Sequence, residues 1–173
     1  MRSRIPVLLL STLLGAGAAL AAPDTPRPAI TVTFAPPVET KLREQFGSKE
    51  ADVLRQDVIE RVGESLLKAS LANPGLGALT AEVQFTDLAS THPTREQSFE
   101  QPGLDPLRSK SVGGAALHGT VHDANGKEVA SLTMKRFAPD LTTISASGDA
   151  WADARITIRM FASKLGAALA AKH

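Results

Sequence analysis

Two histidines, His118 and His122, have the spacing of a metal-binding pair on a helix. They lie, however, in a segment where Ala115, Leu117 and Val121 alternate with more polar residues, and this period of two is typical of a strand. On a strand, alternate residues advance by roughly 6.6 to 6.8 Å, so the two imidazoles would share a face but stand about 13 Å apart. One ion cannot bridge that distance. We therefore expect no metal site and no bound cofactor, and we expect these histidines on the solvent side of a strand.

Other polar motifs also favour a protein without catalytic activity. The sequence has no Cys and no Gly-x-Ser-x-Gly motif, so it carries no local signature of an activated nucleophile. Backbone N–H groups of residues 145–148 could bind an anion ahead of a helix, but the carboxylate of Asp149 would occupy those donors as a cap. Asp123 and Asn125 resemble the start of a calcium loop, yet no acidic residue follows at the required distance.

Four side chains remain as candidates for ligand binding. Arg55 falls within the apolar stripe of a predicted helix, where it either extends to the helix edge or pairs with a buried carboxylate or a ligand. His92, Arg95 and Glu96 belong to residues 89–111, which contain several prolines and no sustained period and so predict a long mobile loop. If these three side chains meet the sheet, a pocket beneath the loop could hold a small ligand.

Two segments have the three- and four-residue spacing of amphipathic helices. The first is predicted from Ser48 to about Leu71, and the second is capped by Ser147 or Asp149. The second helix has an apolar stripe through Phe161 and a narrower apolar strip on its opposite side. We expect that strip either to face a partner or to be covered by residues 89–111. The strip consists of Ile156, Met160 and Ala167.

Four segments alternate with the period of a strand, and with the helices they predict the order β-α-β-β-β-α. The Asn125-Gly126 pair between the last two strands predicts a tight hairpin, because both residue types tolerate positive φ. Strands that flank a helix should be parallel if they are neighbours, whereas a hairpin is antiparallel. The pattern therefore predicts an α+β fold, a two-layer sandwich with two helices on one face of a four-stranded mixed sheet.

The first 21 residues predict a cleaved secretory signal peptide. Arg2 and Arg4 precede an apolar run that is too short to span a bilayer, and Ala19 and Ala21 provide the small residues of a cleavage site. Without the leader, 17 basic residues face 18 acidic ones, a balance that argues against nucleic acid as a partner. Residues 22–29 then form a Pro-rich tether, and residues 30–173 form a single domain.

Three segments resemble the uncharacterised small periplasmic proteins and outer-membrane lipoproteins of proteobacteria. They read ITVTFAPP at 30–37, LTAEVQFTDL at 79–88 and GTVHDANGKEV at 119–129. The resemblance implies an envelope protein without known catalysis. The lipoprotein members carry a lipid-linked Cys that this sequence lacks, so we expect no stable membrane anchor. The predicted function is a soluble, non-catalytic periplasmic binding or envelope-assembly module with an envelope protein as partner. The alternative is a small-ligand-binding or enzymatic domain with its pocket under residues 89–111.

Overall fold

The structure is a computed structural model that describes residues 27–171. The predicted signal peptide and most of the predicted tether lie outside the described residues. The strands are β1 (Ala29–Phe34), β2 (Thr80–Ala89), β3 (Gly114–His122) and β4 (Glu128–Phe137). The helices are α1 (Pro36–Lys41), α2 (Lys49–Ala72), α3 (Arg95–Glu100) and α4 (Ala152–Ala170), with a π-helical segment at Leu42–Phe46 and a 3-10 turn at Pro74–Leu76.

The four strands form one mixed sheet in the order β1-β2-β3-β4. β1 and β2 are parallel, with Val32 opposite Val83, while β2, β3 and β4 pair antiparallel. Both long helices lie on the same face of this sheet, where α2 covers β1, α4 covers β3 and β4, and the helices contact each other. The predicted α+β sandwich and its element order are therefore confirmed.

The core lies between the helices and one face of the sheet, as the two periodicities require. Phe161 of α4 is fully buried and stands against Gly119 of β3, where an added Cβ would lie 2.7 Å from its ring. α2 and α4 run parallel and approach closely at two small residues, since a Cβ on Gly166 would lie 2.3 Å from Ser65 Oγ. The Ser65 hydroxyl donates to the Ala162 carbonyl at 2.7 Å. Small residues thus set the spacing of the helical layer.

The opposite face of the sheet is polar and carries no helix of the described chain. Its strands present rows of hydroxyl, amide, carboxylate and imidazole groups across the sheet, the alternation expected of a half-solvated sheet. Two such rows are Thr31, Glu82, Thr120 and Ser131, and Thr33, Gln84, His118 and Thr133. Across residues 27–171, no helix combines the length and the apolar character that crossing a membrane requires.

Three local predictions need correction. The proline pair at 36–37 was expected to stop the first strand, but Pro36 and Pro37 also begin α1, because proline is well suited to the first turn of a helix. Residues 89–111 are not loop throughout, since α3 lies within them and is opened by a capping box. In the hairpin, only Gly126 has positive φ, at 76°, and Asn125 does not. The Gly126 N–H donates to the Asp123 carbonyl at 3.0 Å, so the hairpin turn is tight, but it is centred on Ala124 and Asn125 and Gly126 follows it.

Candidate functional site

The connections of the fold divide between two ends of the sheet. At the loop end, where β1, β2 and β4 finish and β3 begins, the chain passes through residues 35–48, 90–113 and 138–151. At the hairpin end, the chain turns through residues 73–79 and 123–127. Loops supported by a rigid scaffold are the usual place for binding residues. The loop end is therefore the candidate functional site.

A groove of about 640 Å³ lies at the loop end, between residues 43–50 and α3. Arg95 and Glu96, both predicted as ligand-loop residues, line this groove. They do not meet the sheet, so the groove lies beside α3 and not in the predicted position beneath the loop. Charges of both signs converge on it and leave it without a dominant sign. The charged lining residues are Arg43, Glu44, Lys49, Glu50, Arg95, Glu96 and Glu100.

The two walls of the groove are joined by buried hydrogen bonds and an aromatic contact. The Thr94 hydroxyl donates to the Phe46 carbonyl at 2.7 Å and accepts the Gln97 N–H at the start of α3. The Phe46 ring meets the Trp151 ring edge-on, with centroids 5.1 Å apart. The Trp151 indole N–H donates to Glu50 Oε2 at 2.6 Å. α3, the π-helical segment, α2 and α4 therefore hold one another in place at this end.

A second set of contacts fixes the remaining loops to the start of α4. Asp153 is fully buried, and its Oδ2 accepts a 2.9 Å hydrogen bond from the Thr91 hydroxyl. The Asp153 N–H in turn donates to Thr91 Oγ1 at 3.2 Å. The Ser145 N–H reaches both carboxylate oxygens at 3.3 Å. The Ser145 N–H therefore serves Asp153 and not Asp149. The predicted cap at Ser147 or Asp149 is also wrong, because the N-cap of α4 is Trp151; Asp149 accepts the Trp151 N–H, and Thr91 accepts the Asp153 N–H in the first turn.

His92 is separated from the other two predicted loop residues. Its side chain is buried, whereas Arg95 and Glu96 are exposed on α3, and it does not line the groove. Its Nδ1 is buried without a hydrogen-bond partner. The structure therefore brings Arg95 and Glu96 together but leaves His92 out of their site. Sequence reasoning missed Thr91, Thr94 and Asp153, although the Thr-x-x-Gln spacing at 94–97 was a detectable helix-start signal.

Arg55 stands at the edge of α2 and is not buried. Its guanidinium lies 4.9 Å from the centroid of the Phe34 ring and pairs with Asp52 of the same helix at 2.8 Å. Asp52 is largely exposed, so the partner is not a buried carboxylate. Arg55 therefore has the first of its two predicted roles: it extends to the helix edge, where its stem covers apolar surface and its charge reaches solvent.

The apolar strip of α4 is partly accessible. Met160 is 42% exposed, Ala167 is exposed and Ile156 is half-buried. The strip therefore remains a candidate partner face. Larger exposed apolar side chains lie in the loop end, where Phe99 of α3 is 87% exposed, Leu107 is 71% exposed and Leu141 is 55% exposed.

His118 of β3 and the hairpin aspartate have structural partners, and His122 at the end of β3 is half-buried. His118 is exposed and shares a 2.9 Å hydrogen bond with Thr133 on the open face of the sheet. Asp123 accepts the N–H groups of Asn125 and Lys127, and the Lys127 bond in particular lowers the pKa of this carboxyl below its usual range. Residues 27–171 contain no group of three or more His, Asp or Glu side chains that could hold a metal ion.

Comparison with known proteins gives no relatives for this chain: no protein family, curated protein or solved structure matches it.

Proposed function

We propose that this protein is an exported, non-catalytic binding or envelope-assembly module that recognises a protein partner through its loop end. The observation that carries the proposal is Phe99, a phenylalanine 87% exposed on a short helix that is itself firmly attached. Large aromatic side chains are common anchors of protein interfaces, because they bury much apolar area at little conformational cost.

The surroundings of Phe99 support recognition by a preformed surface. α3 has only six residues and could not persist alone in water. Here it is opened by a capping box and fastened to Phe46 through Thr94. Leu107 rests on the neighbouring loop, since a Cβ added to Gly148 would lie 3.2 Å from its Cδ2. A partner would therefore meet apolar side chains that are already positioned, which reduces the entropy lost on binding.

Export is proposed from the sequence. A basic start, a short apolar run and a small-residue cleavage site fit a secretory leader, and the absence of Cys fits a domain held together by burial. The mature protein should begin at Ala22 and appear in the soluble fraction released by osmotic shock. Intact mass of that fraction tests the proposal, since a mass that retains the leader, or recovery only in membranes, contradicts it.

A small-ligand site is the second candidate, because the groove beside α3 brings Arg95 and Glu96 together with five other charged side chains. Such a ligand would be polar and would carry both charges, to match the mixed lining. Charge reversal at Arg95 would weaken its binding. The same change should have little effect on a partner that depends on Phe99.

The proposed recognition surface is tested by capture from envelope extract with tagged mature protein. Phe99→Ser, which removes the aromatic anchor, should abolish capture of a partner that the unchanged protein retains. The matched control is Leu71→Ser, because Leu71 is 61% exposed at the hairpin end. Loss of capture with both variants would indicate non-specific apolar adhesion. Loss of capture with Met160→Asp alone would indicate that the interface is the apolar strip of α4 and not the loop end.

A further inference from the structure

We propose that Thr91 and Asp153 form a latch that makes the two long loops of the fold, residues 90–113 and 138–151, open and close as one unit. The two residues are 62 positions apart, and both are fully buried. Their side chains and backbone exchange two hydrogen bonds, one from the Thr91 hydroxyl to Asp153 Oδ2 and one from the Asp153 N–H to Thr91 Oγ1. We refer to this pair as the latch.

Both loops terminate on the latch. From the first loop, the Ser111 N–H donates to the Thr91 carbonyl at 2.9 Å, which brings the far end of that loop back to its beginning. From the second loop, the Ser145 N–H donates to the Asp153 carboxylate, and the Ala150 carbonyl accepts the Thr91 N–H at 2.7 Å. Opening of either loop therefore removes donors or acceptors from the same two residues.

Close packing adds to this connection. A Cβ on Gly113 would lie 2.1 Å from Thr91 Oγ1 and 2.9 Å from the Thr91 backbone nitrogen. The end of the first loop thus rests directly on the latch threonine. Only a residue without a side chain fits there, so the position of Thr91 and the path of residues 111–114 determine each other.

The buried charge of Asp153 should make the opening of the latch cooperative. The nearest cation to Asp153 is Arg136 Nη1 at 3.8 Å, which is beyond hydrogen-bond range, and this nitrogen is buried without a hydrogen-bond partner. The carboxylate thus depends on Thr91 and Ser145 for much of its compensation. A buried carboxylate that loses one donor is strongly destabilised, which makes loss of the next donor easier. Coupled opening of this kind is a local unfolding unit.

The consequence for recognition rests on the proposed function. Leu107 belongs to the first loop and Leu141 to the second, so a single latch would hold apolar side chains of both loops in one arrangement for a partner. The latch itself is a property of the isolated chain. Its test therefore needs no partner, and its failure would leave the capture experiment with Phe99→Ser unaffected.

Amide hydrogen exchange of the mature protein, read by mass spectrometry, measures the opening of each loop separately. Thr91→Val keeps the shape of the side chain and removes its hydroxyl. We expect exchange to rise by about tenfold or more in peptides from both loops, with β1, β2 and the middle of α2 unchanged. Thr157→Val is the matched control, because its buried hydroxyl bonds only to the carbonyls of Arg136 and Asp153 and to neither loop. This control should leave both loops protected.

A second variant tests the coupling from the other side and covers the case that Thr91→Val fails to fold. Ser145→Pro removes the N–H that the second loop donates to Asp153, and with it the Ser145 hydroxyl, which accepts the Ser147 N–H. Ser145→Ala, which loses the hydroxyl and keeps the N–H, is its control. If the latch couples the loops, peptides covering 90–94 should also exchange faster, although they contain no altered residue. Faster exchange confined to the second loop, or an equal rise throughout the protein, would overturn the proposal. Restored protection of both loops in Thr91→Ser, which regains the hydroxyl, would support it.

Discussion

The hairpin end of the sheet is stabilised by hydrogen bonds between residues close in sequence, and the loop end by hydrogen bonds between residues far apart in sequence. At the hairpin end, Asp123 accepts N–H groups two and four residues further along the chain, and Gly126 provides the positive φ that the turn needs. At the loop end, hydrogen bonds join residues 48, 62 and 101 positions apart. A local turn can form before the rest of the fold, whereas distant contacts form only once the intervening chain has been ordered.

This contrast indicates how each end responds to change. The hydrogen bonds of the hairpin aspartate are exposed to solvent, so water can replace a lost bond. At the loop end, Thr91, Thr94 and Asp153 are buried, so a lost partner leaves a polar group without compensation. The loop end should therefore be the more sensitive of the two, even though it is the one that presents apolar side chains to solvent.

The largest loss of stability is expected from a change in the hydrophobic core, which lies between the two ends of the sheet. Phe161 is fully buried over Gly119, and Phe161→Ala should lower the free energy of unfolding by roughly 3 to 5 kcal/mol. Met160→Ala, its exposed neighbour, should lower it by less than about 1 kcal/mol. Urea denaturation measures both. Similar losses would mean that the apolar strip of α4 is covered in solution.

The next largest effect compares two aspartates that organise loops. Asp153→Ala leaves the Thr91 hydroxyl and the Ser145 N–H without their shared acceptor and Arg136 without its nearby opposite charge, and should lower the free energy of unfolding by about 3 kcal/mol. Asp123→Ala should destabilise the protein much less than Asp153→Ala, because the N–H donors that it frees are exposed to solvent. Thermal melts of the two variants measure the difference. Equal shifts in the two thermal melts would show that the ends do not differ in this way.

The smallest of these effects compares two glycines. Gly113→Ala places a Cβ against Thr91 and should lower the free energy of unfolding by about 2 kcal/mol through overpacking. Gly126→Ala meets nothing within 4 Å, so only its φ of 76° is unfavourable, at about 1 kcal/mol. The added Cβ would also lie 2.9 Å from the Cα and N of Thr91, so the backbone itself opposes the change. Urea denaturation measures both variants, and equal losses would mean that Gly113 does not pack tightly against Thr91.

Much of the fold could be predicted because its signals are local. The stripe from Leu54 to Leu66 indicated α2, and the alternation around Val83 indicated β2. α1 and α3 were missed because each is short and lies among prolines. Proline was taken as an end to structure, whereas Pro36 begins α1. Of the predicted site, Arg95 and Glu96 do line a groove, but its opposite wall comes from residues 43–50, which no spacing had linked to them.

The sequence by itself determined the periods, and with them the four strands, the two long helices and the glycine of the hairpin, because each of these depends on residues a few positions apart. Only the tertiary structure decided which polar residues are buried. Thr91 looks like an ordinary loop residue, and Asp153 looks like a favourable acid in the first turn of a helix. Their burial depends on partners far away in the chain, and a polar side chain can be buried only where the completed fold brings it a partner.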